Sequence, residues 1–195
     1  MWKSLCLLVC VACSLAASDL ATYRLLEPST HSFELAYDVT IAREGAAYFY
    51  NPLRPGSTVA KESAADLASG KPLEMKIATG REVKAAGGAP ASTPDSAQFL
   101  WVKLLRPVPK GAETRIRILR TYTDAASYHA TANGFVFERP LEPTRDIVLL
   151  PAGYELIGSR APGIVTLDAE QRIHISFFND RDDQLPVHIE GRKRP

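Results

Sequence analysis

Two histidines in this 195-residue chain stand where strand spacing could bring their side chains together. Ile173, Ile175 and Phe177 alternate with His174 and Ser176, and Leu185, Val187 and Ile189 alternate with His188. If these runs pair as successive antiparallel strands with their apolar residues buried, one register sets Phe177 opposite Leu185 and His174 opposite His188. Facing side chains then have Cβ atoms about 4.5–5.5 Å apart, close enough for two imidazoles to share a metal. A register shifted by two residues would face Arg172 with Arg192 and is electrostatically worse. No third ligand accompanies the pair. His174 and His188 are therefore a candidate metal pair only, and no cofactor is expected.

Other polar groups point to contact rather than catalysis. Asn179-Asp180-Arg181-Asp182-Asp183-Gln184 is the densest acidic run. Arg181 interrupts the oxygen ligands that calcium needs and the EF-hand glycine is absent, so the run reads as a solvated turn. Arg115 and Arg117 share a strand face, with Arg120 and Lys110 close in sequence, and form a candidate patch for an anionic surface. Glu113 on the same face favours a solvated strand instead. Tyr48, Phe49 and Tyr50 are consecutive and must line both faces of a strand. Tyr48 and Tyr50 are candidate contacts for a sugar ring or a protein partner. No His-Glu-x-x-His pair, Gly-x-Ser-x-Gly elbow or phosphate-cradling glycine loop occurs. Ser159 has no base nearby, and no motif marks paired carboxylates for glycoside cleavage. No catalytic residue is assigned, and the chain is read as not an enzyme.

The elements that must carry these side chains are strands. From His31 to Arg43, Phe33, Leu35, Tyr37, Val39 and Ile41 alternate with polar or small residues, the signature of a strand with one buried face. The same period recurs in 73–77, 115–118, 172–177 and 185–189. Phe99-Leu100-Trp101-Val102 and Ile147-Val148-Leu149-Leu150 are apolar throughout and suit strands covered on both faces. Gly70 should close a hairpin with φ > 0, and Asn133-Gly134 should close another. Pro186 demotes its strand to an edge. Ser57 to Leu67 is the only stretch with helical character, and an irregular strand is favoured there. The fold class is all-β, an antiparallel β-sandwich of about a dozen short strands with little or no helix. Ala85 to Ser96 should be an exposed, mobile loop outside any core. One domain from 18 to 195 is favoured; two small subdomains, 18–84 and 97–195, are the alternative.

Composition narrows the class. With 23 Lys+Arg against 22 Asp+Glu, the chain lacks the basic excess of a nucleic-acid binder, and its 46% hydrophobic content excludes a disordered one. Lys3, the apolar run Leu5–Ala12 and the small residues before Asp19 form a secretory signal peptide over 1–17, too short to span a bilayer. Cleavage after Ala17 removes Cys6, Cys10 and Cys13, leaving a thiol-free mature chain with no transmembrane helix. Cys10-Val11-Ala12-Cys13 resembles a lipoprotein cleavage site, and lipidation at Cys13 would tether the protein to a membrane surface.

Tyr122-Thr123-Asp124, Phe135-Val136-Phe137-Glu138-Arg139-Pro140-Leu141, Leu149-Leu150-Pro151-Ala152-Gly153-Tyr154-Glu155-Leu156 and Arg54-Pro55-Gly56-Ser57 resemble segments of exported bacterial all-β proteins of unknown function. The layout is also similar to the non-catalytic β-domain at the N-terminus of M1- and M61-type metallopeptidases. The zinc-binding helix of those enzymes is absent, so the resemblance implies a β-domain used for contact and not their activity. The expectation is an exported, periplasmic or secreted binding module of the bacterial cell envelope, its partner an envelope protein or polysaccharide. A motif-less hydrolase acting on glycans or peptides and a structural surface lipoprotein are the alternatives.

Overall fold

The computed structural model describes residues 19–194. The expected signal peptide and Cys13 lie outside the described residues. Within them the chain is all-β: fourteen strands in three sheets and one short α-helix.

The largest sheet has seven strands. In chain order they are β1 (Leu20–Leu25), β2 (Ser32–Ile41), β4 (Thr58–Asp66), β7 (Thr114–Thr123), β10 (Arg145–Leu149), β12 (Ile164–Leu167) and β13 (Ile173–Phe178). Across the sheet they run β12-β13-β10-β1-β2-β7-β4. Two smaller sheets lie against one face of it. One has the order β11-β14-β9-β8, built from β8 (Tyr128–Ala130), β9 (Gly134–Leu141), β11 (Tyr154–Ser159) and β14 (Leu185–Lys193). The other has the order β3-β6-β5, built from β3 (Tyr48–Pro52), β5 (Met75–Thr79) and β6 (Gln98–Lys103). Every pairing is antiparallel except β1 with β10, which is parallel.

Strand β2 shows why there are two cores. Its inward residues Phe33 and Leu35 join Tyr23, Phe137, Ile175 and Ile189 beneath the four-stranded sheet. Farther along, Val39 and Ile41 join Leu100, Val102, Ile116 and Ile118 beneath the three-stranded sheet. Tyr37, between them in sequence, packs against both clusters. A ten-residue strand rises far enough to back two small sheets side by side. The seam between those sheets opens over Tyr37.

Several local expectations meet the structure directly. Gly70 has φ +68°, and β4 is an irregular strand whose register shifts between Ala60 and Ser63, with Lys61 at φ +52°. The Asn133-Gly134 turn joins β8 to β9. Other expectations need correction. The single α-helix, α1 (Gly80–Ala85), lies outside the stretch read as potentially helical. Thr79 and Glu82 form a reciprocal capping box at its start, a local signal that periodicity over six residues is too short to reveal. The 85–96 segment is not outside every core: Ala89 packs against Ala78, Val83 and Phe99. Strand β14 is not an edge, because β9 and β11 flank it. Pro186 is tolerated because β11 pairs only with residues from Ile189 onward, while the residue facing it on β9 is Pro140, which also has no N–H. No helix among the described residues is long and apolar enough to cross a membrane.

Candidate functional site

The proposed histidine pair does not form. His174 lies on β13 in the large sheet, whereas His188 lies on β14 in the four-stranded sheet. Their strands face each other across the core, with Ile173, Ile175, Val187 and Ile189 in one buried cluster, so the outward histidines leave on opposite surfaces. Alternation settled which residues turn outward, but not that the two strands belong to different sheets. His174 bonds Asp168 at 3.1 Å, and His188 bonds Glu138 at 2.8 Å and Glu190 at 2.9 Å. Burial alone would raise the Asp168 carboxyl, but the Arg172 backbone N–H, His174 and the Arg172 guanidinium outweigh it and hold it at about 2. No group of three or more potential ligands is set to hold a metal among the described residues.

The arginine patch is also dispersed. Arg117 faces Asp38 across β2 and binds it bidentately at 2.6 and 2.7 Å. Arg115 is half-buried opposite Thr40. Arg120 points inward, 2% exposed, where its Nη1 donates to the Tyr122 hydroxyl at 2.9 Å. The acidic 179–184 run is a turn held by its own groups: the Asn179 amide donates to the Asp183 carbonyl, and Arg181 pairs with the Asp183 carboxylate.

Tyr48 and Tyr50, by contrast, acquire a partner that composition concealed. The β3-β6-β5 register aligns Tyr50, Trp101 and Lys76 in one row across the outer face of the small sheet. Tyr48 meets Trp101 edge-on with ring centroids 5.0 Å apart, and Tyr50 meets it at 5.5 Å. The Lys76 ammonium lies 4.1 Å from the Trp101 ring centre. Helix α1 and the 85–96 segment pack over Phe99 and Ala78 and reach Tyr50 and Trp101, which stay half-buried, while Tyr48 is 36% exposed. Gly88 passes so close to Tyr50 that a Cβ there would lie 2.3 Å from the ring. Trp101 was hidden in a wholly apolar run, which reads as covered on both sides; Trp101 is only half-buried.

The seam between the small sheets forms a cleft of about 330 Å³. Tyr23, Tyr37 and Tyr122 line it from the large sheet, Asn51 and Arg54 from the end of β3 and the turn after it, and Arg139 from β9. Asp124 organises one end. Its carboxylate accepts from the Ser127 backbone N–H and hydroxyl at 3.1 and 2.7 Å and from Arg139 Nη1 at 3.3 Å, with Arg54 Nε 3.7 Å away. Burial opposes ionisation of Asp124, but the Ser127 donors and the two guanidiniums prevail and lower its pKa. The Arg139 guanidinium also lies over Phe33 and Tyr122 at 5.5 and 5.4 Å. At the opposite end Gln184 donates to Glu142 at 2.7 Å. Near that end Asp146, on β10, is fully buried, and neither carboxyl oxygen has a hydrogen-bond partner among the described residues. Burial, reinforced by Glu142, raises its pKa to about 8.

No family model matches the sequence, and no curated protein matches it. The fold is shared with solved structures. The M1 zinc metallopeptidase from Deinococcus radiodurans superposes with a TM-score of 0.52 at 13% identity, over 89% of this chain and 41% of that one. A mutant of the same peptidase bound to a Tyr-Ser-Ala substrate gives 0.51 at 13% identity, over 89% and 41%. The chain therefore spans well under half the length of the structures it matches. The matched portion is their N-terminal domain, in agreement with the resemblance read from the sequence.

Proposed function

We propose that this chain is an exported, non-enzymatic binding module that holds a cell-envelope polysaccharide on the Tyr48–Tyr50–Trp101 face. One observation carries the reading: three aromatic rings from adjacent strands share an outer sheet face that α1 and its loop leave partly open. Aromatic rings with polar tips suit a ligand that is apolar on its ring faces and hydroxylated at its rim, as sugars are. Lys76, Lys103 and Glu74 border the rings and supply polar contacts. The fold shared with part of a zinc peptidase supports a scaffold for contact.

The test is a titration with a soluble β-glucan, a galactomannan and solubilised peptidoglycan, read by Trp101 fluorescence. Binding of at least one should perturb the emission, and in a parallel calorimetric titration Trp101→Ala or Tyr48→Ala should weaken binding at least about tenfold without lowering the melting temperature. Unchanged affinity in both variants would remove this face as the site. A second reading, a protein partner, is favoured by β12, an edge strand with Ile164, Val165 and Leu167 between 51 and 70% exposed. A Val165→Lys change should abolish such a contact and leave polysaccharide binding intact. Export and anchoring are tested by the intact mass of the protein from its host, membrane fraction included. A chain starting at Ser18 or Asp19 supports a soluble module; one starting at an acylated Cys13 replaces it with a surface lipoprotein.

A further inference from the structure

Three of the segments singled out in the sequence for their resemblance to exported β-proteins meet at one place: Arg54-Pro55, Tyr122 and Arg139-Pro140 line the seam cleft, and Asp124 holds Arg54 and Arg139 behind it. They are far apart in sequence, and none is needed for the aromatic face. Their charges do not cancel locally. Arg54 and Arg139 both approach Asp124, which is already engaged by two Ser127 donors. Arg54 has no closer acceptor among the described residues than Asp124 at 3.7 Å, so its terminal nitrogens remain open to the cleft. A guanidinium presents five N–H donors in a fork that matches a carboxylate. The end near Asp124 thus sets two cations against one anion.

The other end has a different character. Glu142 receives one bond from Gln184 and its second oxygen has no donor among the described residues, and Asn51 adds a planar amide on the wall. Between the ends, Tyr23, Tyr37 and Leu35 supply a broad apolar surface. A volume of about 330 Å³ is at the small end of ligand pockets. The matching ligand carries a carboxylate at one end, hydroxyl donors at the other and a ring between them.

We infer that the seam cleft binds a sugar acid of the hexuronate class, its carboxylate on Arg54 and Arg139 and its hydroxyls on Glu142, Gln184 and Asn51. Arg139 is held by Asp124 and by the rings of Phe33 and Tyr122, so it is preorganised; Arg54, more than a third exposed, is the arm that closes on the anion. This site is separate from the aromatic face and does not depend on it.

Calorimetric titration of the full chain with D-glucuronate, D-glucose and L-phenylalanine tests the inference. Glucuronate should bind, and glucose, the same ring without the carboxylate, should bind at least about tenfold more weakly. Arg54→Ala should weaken glucuronate at least about tenfold at an unchanged melting temperature, and Glu142→Gln should weaken it less. Trp101→Ala should leave glucuronate binding unaltered, so the failure of either site shows independently of the other. Equal affinity for glucuronate and glucose, an unaffected Arg54→Ala variant, binding of phenylalanine in place of glucuronate, or no heat with any probe would each overturn the assignment.

Discussion

Asp146 is a carboxyl group sealed inside a sandwich with no hydrogen-bond partner among the described residues, and this gives the molecule a pH dependence of a particular sign. An unfolded aspartate titrates near about 3.9, whereas the folded one is raised to about 8 by burial and by Glu142. Between these values the folded chain keeps a proton that the unfolded chain has released. The stability associated with it is fully present below about pH 4, falls as pH rises and is exhausted above about pH 8. The slope is at most about 1.4 kcal/mol per pH unit. Asp124 and Asp168 are shifted the other way, so their effects fall below the ordinary carboxylate range and do not mask it. Urea unfolding at several pH values from about 5 to 7.5 should show declining stability in the native sequence and a flat profile in Asp146→Asn. Parallel profiles would mean that water or a neighbour satisfies the carboxyl.

Strand β4 and the β8–β9 hairpin carry their own constraints. Lys61 occupies a left-handed conformation where the β4 register shifts, a position that favours glycine. Lys61→Gly should therefore raise stability by about 0.5–1 kcal/mol, seen as a higher denaturation midpoint with an unchanged m-value. Gly134 is the opposite case. A Cβ there would lie 1.9 Å from the Gly191 carbonyl oxygen of β14, and backbone cannot step aside as a flexible side chain can. Gly134→Ala should cost at least about 2 kcal/mol by parting β9 from β14. At α1 the capping box joins the Arg81 and Lys84 pairs to Asp95 in holding a six-residue helix, which is too short to form alone. Thr79→Ala should loosen the helix from Phe99 and shift Trp101 emission toward that of an exposed indole, with little change in global stability.

At the scale of the whole molecule, β2 and β7 each feed both cores: Phe33 and Tyr122 belong to one, Val39 and Ile116 to the other. Neither small sheet can lose its backing without disturbing the strand that backs its neighbour. Calorimetry should therefore show one cooperative transition, and Ile116→Ala, at a fully buried site, should lower that transition as a whole by about 2–4 kcal/mol. Two separable transitions would mean that the halves fold independently. Much of this architecture was legible in the residues themselves. Period-two alternation marked β2, β7, β13 and β14 and showed which side chains turn inward, because the pleat dictates it residue by residue. Turn chemistry placed Gly70 and Asn133-Gly134 for the same local reason. What alternation does not contain is the partner of each strand. A hydrogen-bonding edge is the same whichever strand it meets, so His174 and His188 read as neighbours while the fold sends them to opposite surfaces. Trp101 gained Tyr48 and Tyr50, and Arg54, Asp124 and Arg139 converged for the same reason. Such long-range placements depend on how three sheets pack over two cores, and only the tertiary structure settles that packing.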